Sequence, residues 1–416
     1  MFPRREFLKQ AGLTAGCTLA LQNSSVARVE QPARIIEPFL EEYGFWDYTA
    51  PVAGGMEQFG PDDYRLLLDD MREAGMNSLV ICIKWLTTGY YSRLPFQDQF
   101  PGNPVIESKN ELIRQVIQET HQRKIKIRFN LCLTYFDAEV FGGTPYNTFD
   151  NSSGVPFPRP IGVYDTDAPG LVERACQVCE EVVEEFPGVD GYVIELEGAG
   201  VEVPHRIDRY NQWAKEHGKR PFSEIGHPLD PRGMDAPEWR EYTTFSRFKV
   251  LRAVEEILRG KGFDGDLFMI CETGNTDYGV YQEVHLRNFH AEFPHWGALT
   301  YEYEKWNRRY AMMELCIAQP KTEGMQVFYL PRGVMTWGRW PFAHPLQESW
   351  KRDIEDILML QPHGVWWFGC GTVNDGAHVG LKRLREVGFK DGVDARRELI
   401  CTAEALSESV SSDAGG

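Results

Sequence analysis

The chain has 416 residues, 42% of them hydrophobic, and a formal net charge of −17. So acidic a chain lacks the basic surface on which nucleic-acid phosphates bind, and it repels acidic polymers unless a local cationic patch steers them. Its 9 cysteines are irregularly spaced, and Cys176 and Cys179 have no second close pair to match them, which argues against a zinc ribbon or a small disulfide framework.

The first segment reads MFPRREFLKQAGLTAGCTLALQNSSVA. Arg4 and Arg5, followed by Phe7, Leu8 and Lys9, resemble the twin-arginine export signal of bacteria. The weakly hydrophobic run Ala11–Leu21 is too short to span a bilayer, and Ser25–Ala27 offers a small-residue cleavage site. Residues 1–27 are therefore expected to be a signal peptide. The resemblance implies a periplasmic or secreted protein with the twin-arginine machinery as a partner. A partial lipobox ends at Cys17, with Thr14 where leucine is usual, and makes lipid anchoring the alternative. No later run reaches 18 apolar residues, so no transmembrane segment is expected.

Eight strand-like runs then alternate with amphipathic ones. The runs lie at 43–48, 77–85, 125–133, 191–197, 266–273, 297–304, 325–331 and 364–370. The stretches between them repeat apolar residues at three and four, often after Pro or Asp, as helices do. This alternation predicts an α/β fold, a closed (β/α)8 TIM barrel spanning 28–405, with a polar, disordered tail at 406–416. The open doubly wound sheet is the competing arrangement, but no glycine-rich phosphate loop follows the first strand. Long connections rich in Gly, Pro, Asn and aromatics follow strands three and four. They belong to the carboxyl-terminal face of a barrel, where active sites sit.

Residues two apart in a strand share a face. In strand four, DGYVIELEGAG, Val193, Glu195 and Glu197 fall together, and the apolar Tyr192, Ile194 and Leu196 are expected to face the helices. The same parity groups Arg128 with Asn130 in strand three, and Thr300 with Glu302 and Glu304 in strand six. Lys84 and Trp85 end strand two on opposite faces, Tyr135 follows strand three, and Arg332 follows strand seven. Glu272 ends strand five on the side of Phe268 and Ile270. A barrel built only for stability would fill such positions with Val, Ile and Leu.

Carboxylates converging on one rim suit glycosidic bond cleavage. That reaction needs a proton on the leaving oxygen and negative charge beside the developing oxocarbenium ion. Glu197 is the expected general acid, Glu195 would raise its pKa by like-charge repulsion, and Glu302 or Glu272 would act from across the barrel. Lys84 and Arg128 are expected to hold polar or anionic substrate groups, alongside Asn130, Tyr135, Tyr301, Glu304 and Arg332. Trp85, Trp306, Trp337, Trp340 and Trp367 are expected sugar platforms.

The barrel pattern, the export signal and the acidic end of strand four resemble the (β/α)8 glycoside hydrolases. DGYVIELE is similar to the family 18, chitinase-type motif D-G-x-D-x-D-x-E. Asp190, Gly191 and Glu197 match it, Val193 replaces the first inner Asp, and Glu195 replaces the second. The resemblance implies that Glu197 is the acid, while the lost Asp counts against substrate-assisted chemistry on N-acetyl sugars. Tyr301 before Glu302, and Trp366 with Trp367, are similar to that family's strand-six and strand-eight features.

The expected function is hydrolysis of an oligo- or polysaccharide, with no cofactor. One alternative is a metal-dependent sugar isomerase, epimerase or lyase with Glu197, Glu272 and Glu302 as ligands; a carbohydrate-binding barrel without turnover is another. The export reading predicts that replacing Arg4 and Arg5 together by lysine retains the uncleaved chain in the cytoplasm, scored by fractionation and by the mass of the N-terminus.

Overall fold

The computed structural model describes residues 39–47, 61–85, 88–96, 104–142, 145, 147–149, 160–196, 204–225, 237–271, 289–301, 319–331 and 346–368. Several expectations lie outside these residues: the signal at 1–27, the tail at 406–416, and Glu197, Glu272, Glu302, Glu304, Trp306, Arg332, Trp337 and Trp340. The described residues all belong to one unit, Glu37–Gly416. None of their helices is long and apolar enough to cross a membrane.

The first half of the chain runs β1 (Glu42–Asp47), α1 (Pro61–Glu73), β2 (Ser78–Lys84), α2 (Pro104–Gln122), β3 (Lys126–Cys132), β4 (Tyr135–Asp137), α3 (Ala138–Phe141), β5 (Asn147–Phe149), β6 (Ile161–Val163) and α4 (Leu171–Glu185). It continues with β7 (Gly191–Glu195), α5 (Pro204–Glu216), α6 (Phe222–Ile225), α7 (Pro237–Gly260), β8 (Asp266–Cys271), β9 (Gly297–Tyr301), α8 (Gln319–Thr322), β10 (Val327–Leu330), α9 (Leu346–Leu360) and β11 (Gly364–Phe368). Eight strands close into a barrel in the order β1-β11-β10-β9-β8-β7-β3-β2, and every pairing in it is parallel. The fold is the TIM barrel expected from the alternation.

Local chemistry accounts for the elements. β2 reads SLVICIK and is buried throughout, as a strand covered on both faces must be. α1, α2, α5 and α7 each open on proline, whose missing N–H costs nothing at a first helical position. Gly75, at φ 71, turns the chain out of α1.

The long connection after β3 is not a bare loop. It folds into a three-stranded antiparallel sheet, β4-β6-β5. The connection after β7 likewise contains α5 and α6, which pack with α7 around Tyr210, Trp213, Ala214, Trp239 and Tyr242.

Arg128 identifies the interior face. From β3 it reaches Glu42 on β1 and Asp266 on β8, strands two removed in either direction, with both contacts at 2.5 Å. Its guanidinium carbon also lies 5.2 Å from the Phe268 ring centroid and 5.5 Å from that of Trp366. Ser78 completes the network: its hydroxyl donates to Glu42 at 2.8 Å and accepts from Arg128 at 3.1 Å and Trp366 Nε1 at 3.0 Å. Lys126 adds a bond to Glu42 at 3.1 Å. Burial opposes the arginine charge, but the Glu42 and Asp266 carboxylates more than offset it, and its pKa stands above the ordinary value.

Glu42, Ser78 and Asp266 each begin a strand, so this network closes the amino-terminal end of the barrel. Gly191 makes room for it: a Cβ there would stand 2.7 Å from the Asp266 carbonyl oxygen and 3.0 Å from Arg128 Nε. Asp190 just before it accepts from the Ile127 amide at 2.7 Å and pairs with His121 at 3.0 Å. The Asp-Gly that resembles the family 18 motif thus has work in assembling the barrel.

Arg128 is therefore not on the substrate-facing rim. The expected parity was right for Arg128 and Asn130 and wrong about the end of the barrel that Arg128 serves. The Arg128–Glu42 pair is a buried one that loses its compensation if one member is removed. Arg128→Leu is expected to cost about 3–5 kcal/mol in urea unfolding. Replacing Glu42 and Arg128 together by Leu and Met should recover most of that loss.

Candidate active site

The carboxyl-terminal end of the barrel is built from the ends of β2, β3 and β7. Register carries the interior face from Arg128 to Gly191 and Asp266, and from Asn130 to Val193 and Phe268. Cys132 is in register with Glu195. Glu195 therefore points into the barrel at the last position of β7, where it is 2% exposed.

Asn130 sits one layer below and is fully buried. Its Nδ2 donates to Glu195 Oε2 at 3.2 Å and to the Val193 carbonyl at 3.3 Å. Its Oδ1 accepts from the Cys82 thiol at 2.9 Å. A neutral donor of this kind orients a carboxylate without cancelling its charge. In the sequence Cys82 lies inside an apolar run, where cysteine reads as a small hydrophobe. The missed signal was parity, since Cys82 shares a face with Val80, the two being in register with Asn130 and Arg128.

Lys84 ends β2 and is 1% exposed. Its ammonium donates to the Tyr135 carbonyl at 2.6 Å and stands 4.8 Å from the Phe136 ring centroid. Trp85 packs on Tyr135, with ring centroids 6.2 Å apart. Both rings are buried. Lys84, Trp85 and Tyr135 together fasten the inserted sheet over the barrel. Tyr164, which follows β6, donates its amide to the Thr134 carbonyl at 2.8 Å and closes the insertion from its other side. Burial pushes the Tyr164 hydroxyl up to about 12, although the nearby Arg174 pulls the other way.

A second polar cluster holds the segment after β7. Arg206 of α5 is 3.9 Å from Asp167, donates to Thr243 at 3.1 Å, and lies 5.2 Å from the Trp239 ring centroid. The Tyr242 hydroxyl donates to Asp167 at 2.8 Å. Burial raises the Asp167 pKa, and the Arg206 charge and the Tyr242 and Ser246 hydrogen bonds counter only part of that. The cluster joins α5 and α7 to the residues that lead into α4.

Two expectations about facing are corrected. In β9, Leu299 is in register with Ile270 and Phe328, which puts Leu299 inside and Thr300 on the helix side. Apolar residues were assigned to the helix side, yet this barrel fills much of its own interior with Phe268, Phe328 and Trp366, whose rings pack together. Gly297 must be glycine for that reason, because a Cβ there would lie 2.2 Å from the Phe268 ring. Tyr301 ends β9 in register with Leu330. Trp367 pairs in register with Phe45 on the helix side and is fully buried, so it offers no platform to a ligand in the barrel. Trp366 is the interior residue of that pair, stacked beside Arg128.

The structure thus brings together Glu195, Asn130 and, at the same end, Lys84. It removes Arg128 and Trp367 from that group. Among the described residues no group of three or more His, Cys, Asp or Glu side chains could hold a metal ion. Glu197, Glu272 and Glu302, the carboxylates expected to work with Glu195, lie outside the described residues.

No protein-family model matches the chain, and no curated protein matches it. Solved structures do resemble it in fold. The PgaB (BpsB) glycoside hydrolase domain of Bordetella bronchiseptica aligns at 12% identity and TM-score 0.49, over 84% of this chain and 99% of that one. An inactive mutant of a GH20 exo-β-N-acetylglucosaminidase of Vibrio harveyi aligns at 14% identity and TM-score 0.47, over 87% of this chain. The chain spans about half, 54%, of the length of that Vibrio protein. A β-mannanase of the blue mussel Mytilus edulis aligns at 13% identity and TM-score 0.43, over 91% and 93% of the two chains.

The Lys84 contacts predict a structural penalty. Lys84→Met keeps apolar bulk beside Phe136 and loses the donor to Tyr135. It should lower urea stability by about 1.5–3 kcal/mol, the usual worth of a hydrogen bond from a charged group.

Proposed function

We propose that this chain is a glycoside hydrolase that cleaves a glycosidic bond in an oligo- or polysaccharide by carboxylate acid/base catalysis. The single observation that carries the reading is Glu195. It is a buried carboxylate on the interior face, at the carboxyl end of the fourth barrel strand, with an amide donor set against it. That end of the barrel is where TIM-barrel chemistry is done.

Glu197 continues the parity of Glu195 in the sequence and is the proposed general acid. Glu195 is the proposed fixed negative charge. It keeps a proton on Glu197 by repulsion in the free enzyme and stabilises positive charge at the anomeric carbon as the bond breaks. Glu272, which has the sequence parity of the interior Phe268 and Ile270, is proposed as the carboxylate opposite ahead of Glu302, which has the parity of Thr300. The balance is simple: the acid gives its proton to the leaving oxygen, water supplies the hydroxyl, the water's other proton passes to a carboxylate of the pair and restores the acid, and no redox step is involved. Export by the twin-arginine route would place this activity in the periplasm or outside the cell.

Purified protein should release sugar from at least one member of a panel of aryl glycosides and polysaccharides, and do so equally with and without chelator. On that substrate Glu197→Gln is expected to lose about 10²–10⁴-fold in kcat/KM, the usual worth of general acid catalysis. The loss should be much smaller when the aryl leaving group is acidic enough to depart without a proton. Full activity of Glu197→Gln on every cleaved substrate, or turnover that chelator abolishes, overturns the assignment.

A further inference from the structure

We infer that Asn130 is a positioning residue for Glu195, and that the Cys82 thiol, by donating to Oδ1, holds the Asn130 amide in place. The inference rests on the reading of Glu195 as a working carboxylate. It replaces the expected role of Asn130 as a substrate contact.

The argument is one of satisfied valences. The amide offers two donor hydrogens and one acceptor oxygen, and each is already used inside the protein. Nδ2 meets two acceptors, Glu195 Oε2 at 3.2 Å and the Val193 carbonyl at 3.3 Å. Oδ1 meets the thiol of Cys82 at 2.9 Å. Turning the amide over would set Oδ1 against two other acceptors, Glu195 Oε2 and the Val193 carbonyl. Only one orientation is therefore compatible with the surroundings. Asn130 has no exposed surface through which to meet a sugar, and Cys82 has none either.

The choice of residue also has a reason. An arginine or lysine at position 130 would hold the carboxylate equally well and would cancel its charge. An asparagine holds it and leaves the charge available for a developing cation. A leucine or valine would fill the layer and leave Glu195 with fewer donors in a buried place, where an under-bonded carboxylate is costly. The interior positions around Arg128, with Phe268 and Trp366, show that this barrel uses apolar side chains where packing alone is needed.

The test uses the full-length protein and the best aryl glycoside from the panel. Glu195→Gln is measured first. Asn130→Leu keeps the branching and the number of side-chain heavy atoms and has no donor. It should lower kcat about tenfold, as the loss of one hydrogen bond implies, with KM changed less than twofold. In the Glu195→Gln background the same substitution should have no further effect on kcat. Cys82→Ala should lower kcat severalfold, and Cys82→Ser, which restores a donor of similar size, should recover it. That rescue separates positioning from packing, because alanine and serine leave almost the same space. It also keeps the test open if Asn130→Leu does not fold. Impaired Glu195→Gln together with equal kcat for Cys82→Ala, Cys82→Ser and the unchanged protein overturns the inference and leaves the hydrolase reading standing. Full activity of Glu195→Gln, or no turnover by the unchanged protein on any glycoside, overturns the reading beneath it and the inference with it.

Discussion

The ion cluster of the buried Arg128 and Glu42 with the half-exposed Asp266 is the constraint on which the barrel interior depends. An arginine without solvent contact must be paired, and its partners stand on strands two removed to either side. That requirement fixes which face of β3 looks inward. It also forces glycine at position 191, beneath the guanidinium and the Asp266 backbone. Once β3 is set, Asn130 lies inside two residues further on, and register carries Val193 and then Glu195 inside on β7. The polarity of the upper layer therefore follows from a salt bridge at the opposite end.

Above that base the barrel changes character with height. The base is ionic, and Phe268, Phe328 and Trp366 pack beside it. The rim is polar again, with Cys82, Asn130 and Glu195 bonded in a chain. The inserted β4-β6-β5 sheet is fastened to this rim by Lys84, whose ammonium donates to a backbone carbonyl and faces an aromatic ring. A cation used in this way contributes to the shape of the mouth through the sheet it holds. The Arg206–Asp167 cluster does the same for the helices that follow β7.

Much of this was legible in the residues. Alternation of apolar runs with helical periods predicted the barrel, and all eight strands begin within two residues of the expected positions. Parity placed Glu195 and Asn130 inside. Three things were not legible. Arg128 and Asn130 share a face, but parity does not tell the bottom of a barrel from its mouth; only the partners do, and Glu42 and Asp266 are distant in sequence. Thr300 and Trp367 were misplaced because a barrel has two apolar sides, and hydrophobicity cannot say which one a strand's larger residues fill. Cys82 was missed because a thiol reads as apolar until an amide oxygen stands beside it.

Local sequence by itself determined the elements, the closed α/β architecture and the alternation that turns Glu195 away from the helices, because those depend on periodicities of two and 3.6 residues. Tertiary structure alone decided which polar residues meet. Arg128 became part of the foundation, Lys84 a fastening for the inserted sheet, and Asn130 the donor to Glu195. Each outcome depends on groups brought within about 3 Å by strand register and barrel closure, over separations in sequence that no local pattern records.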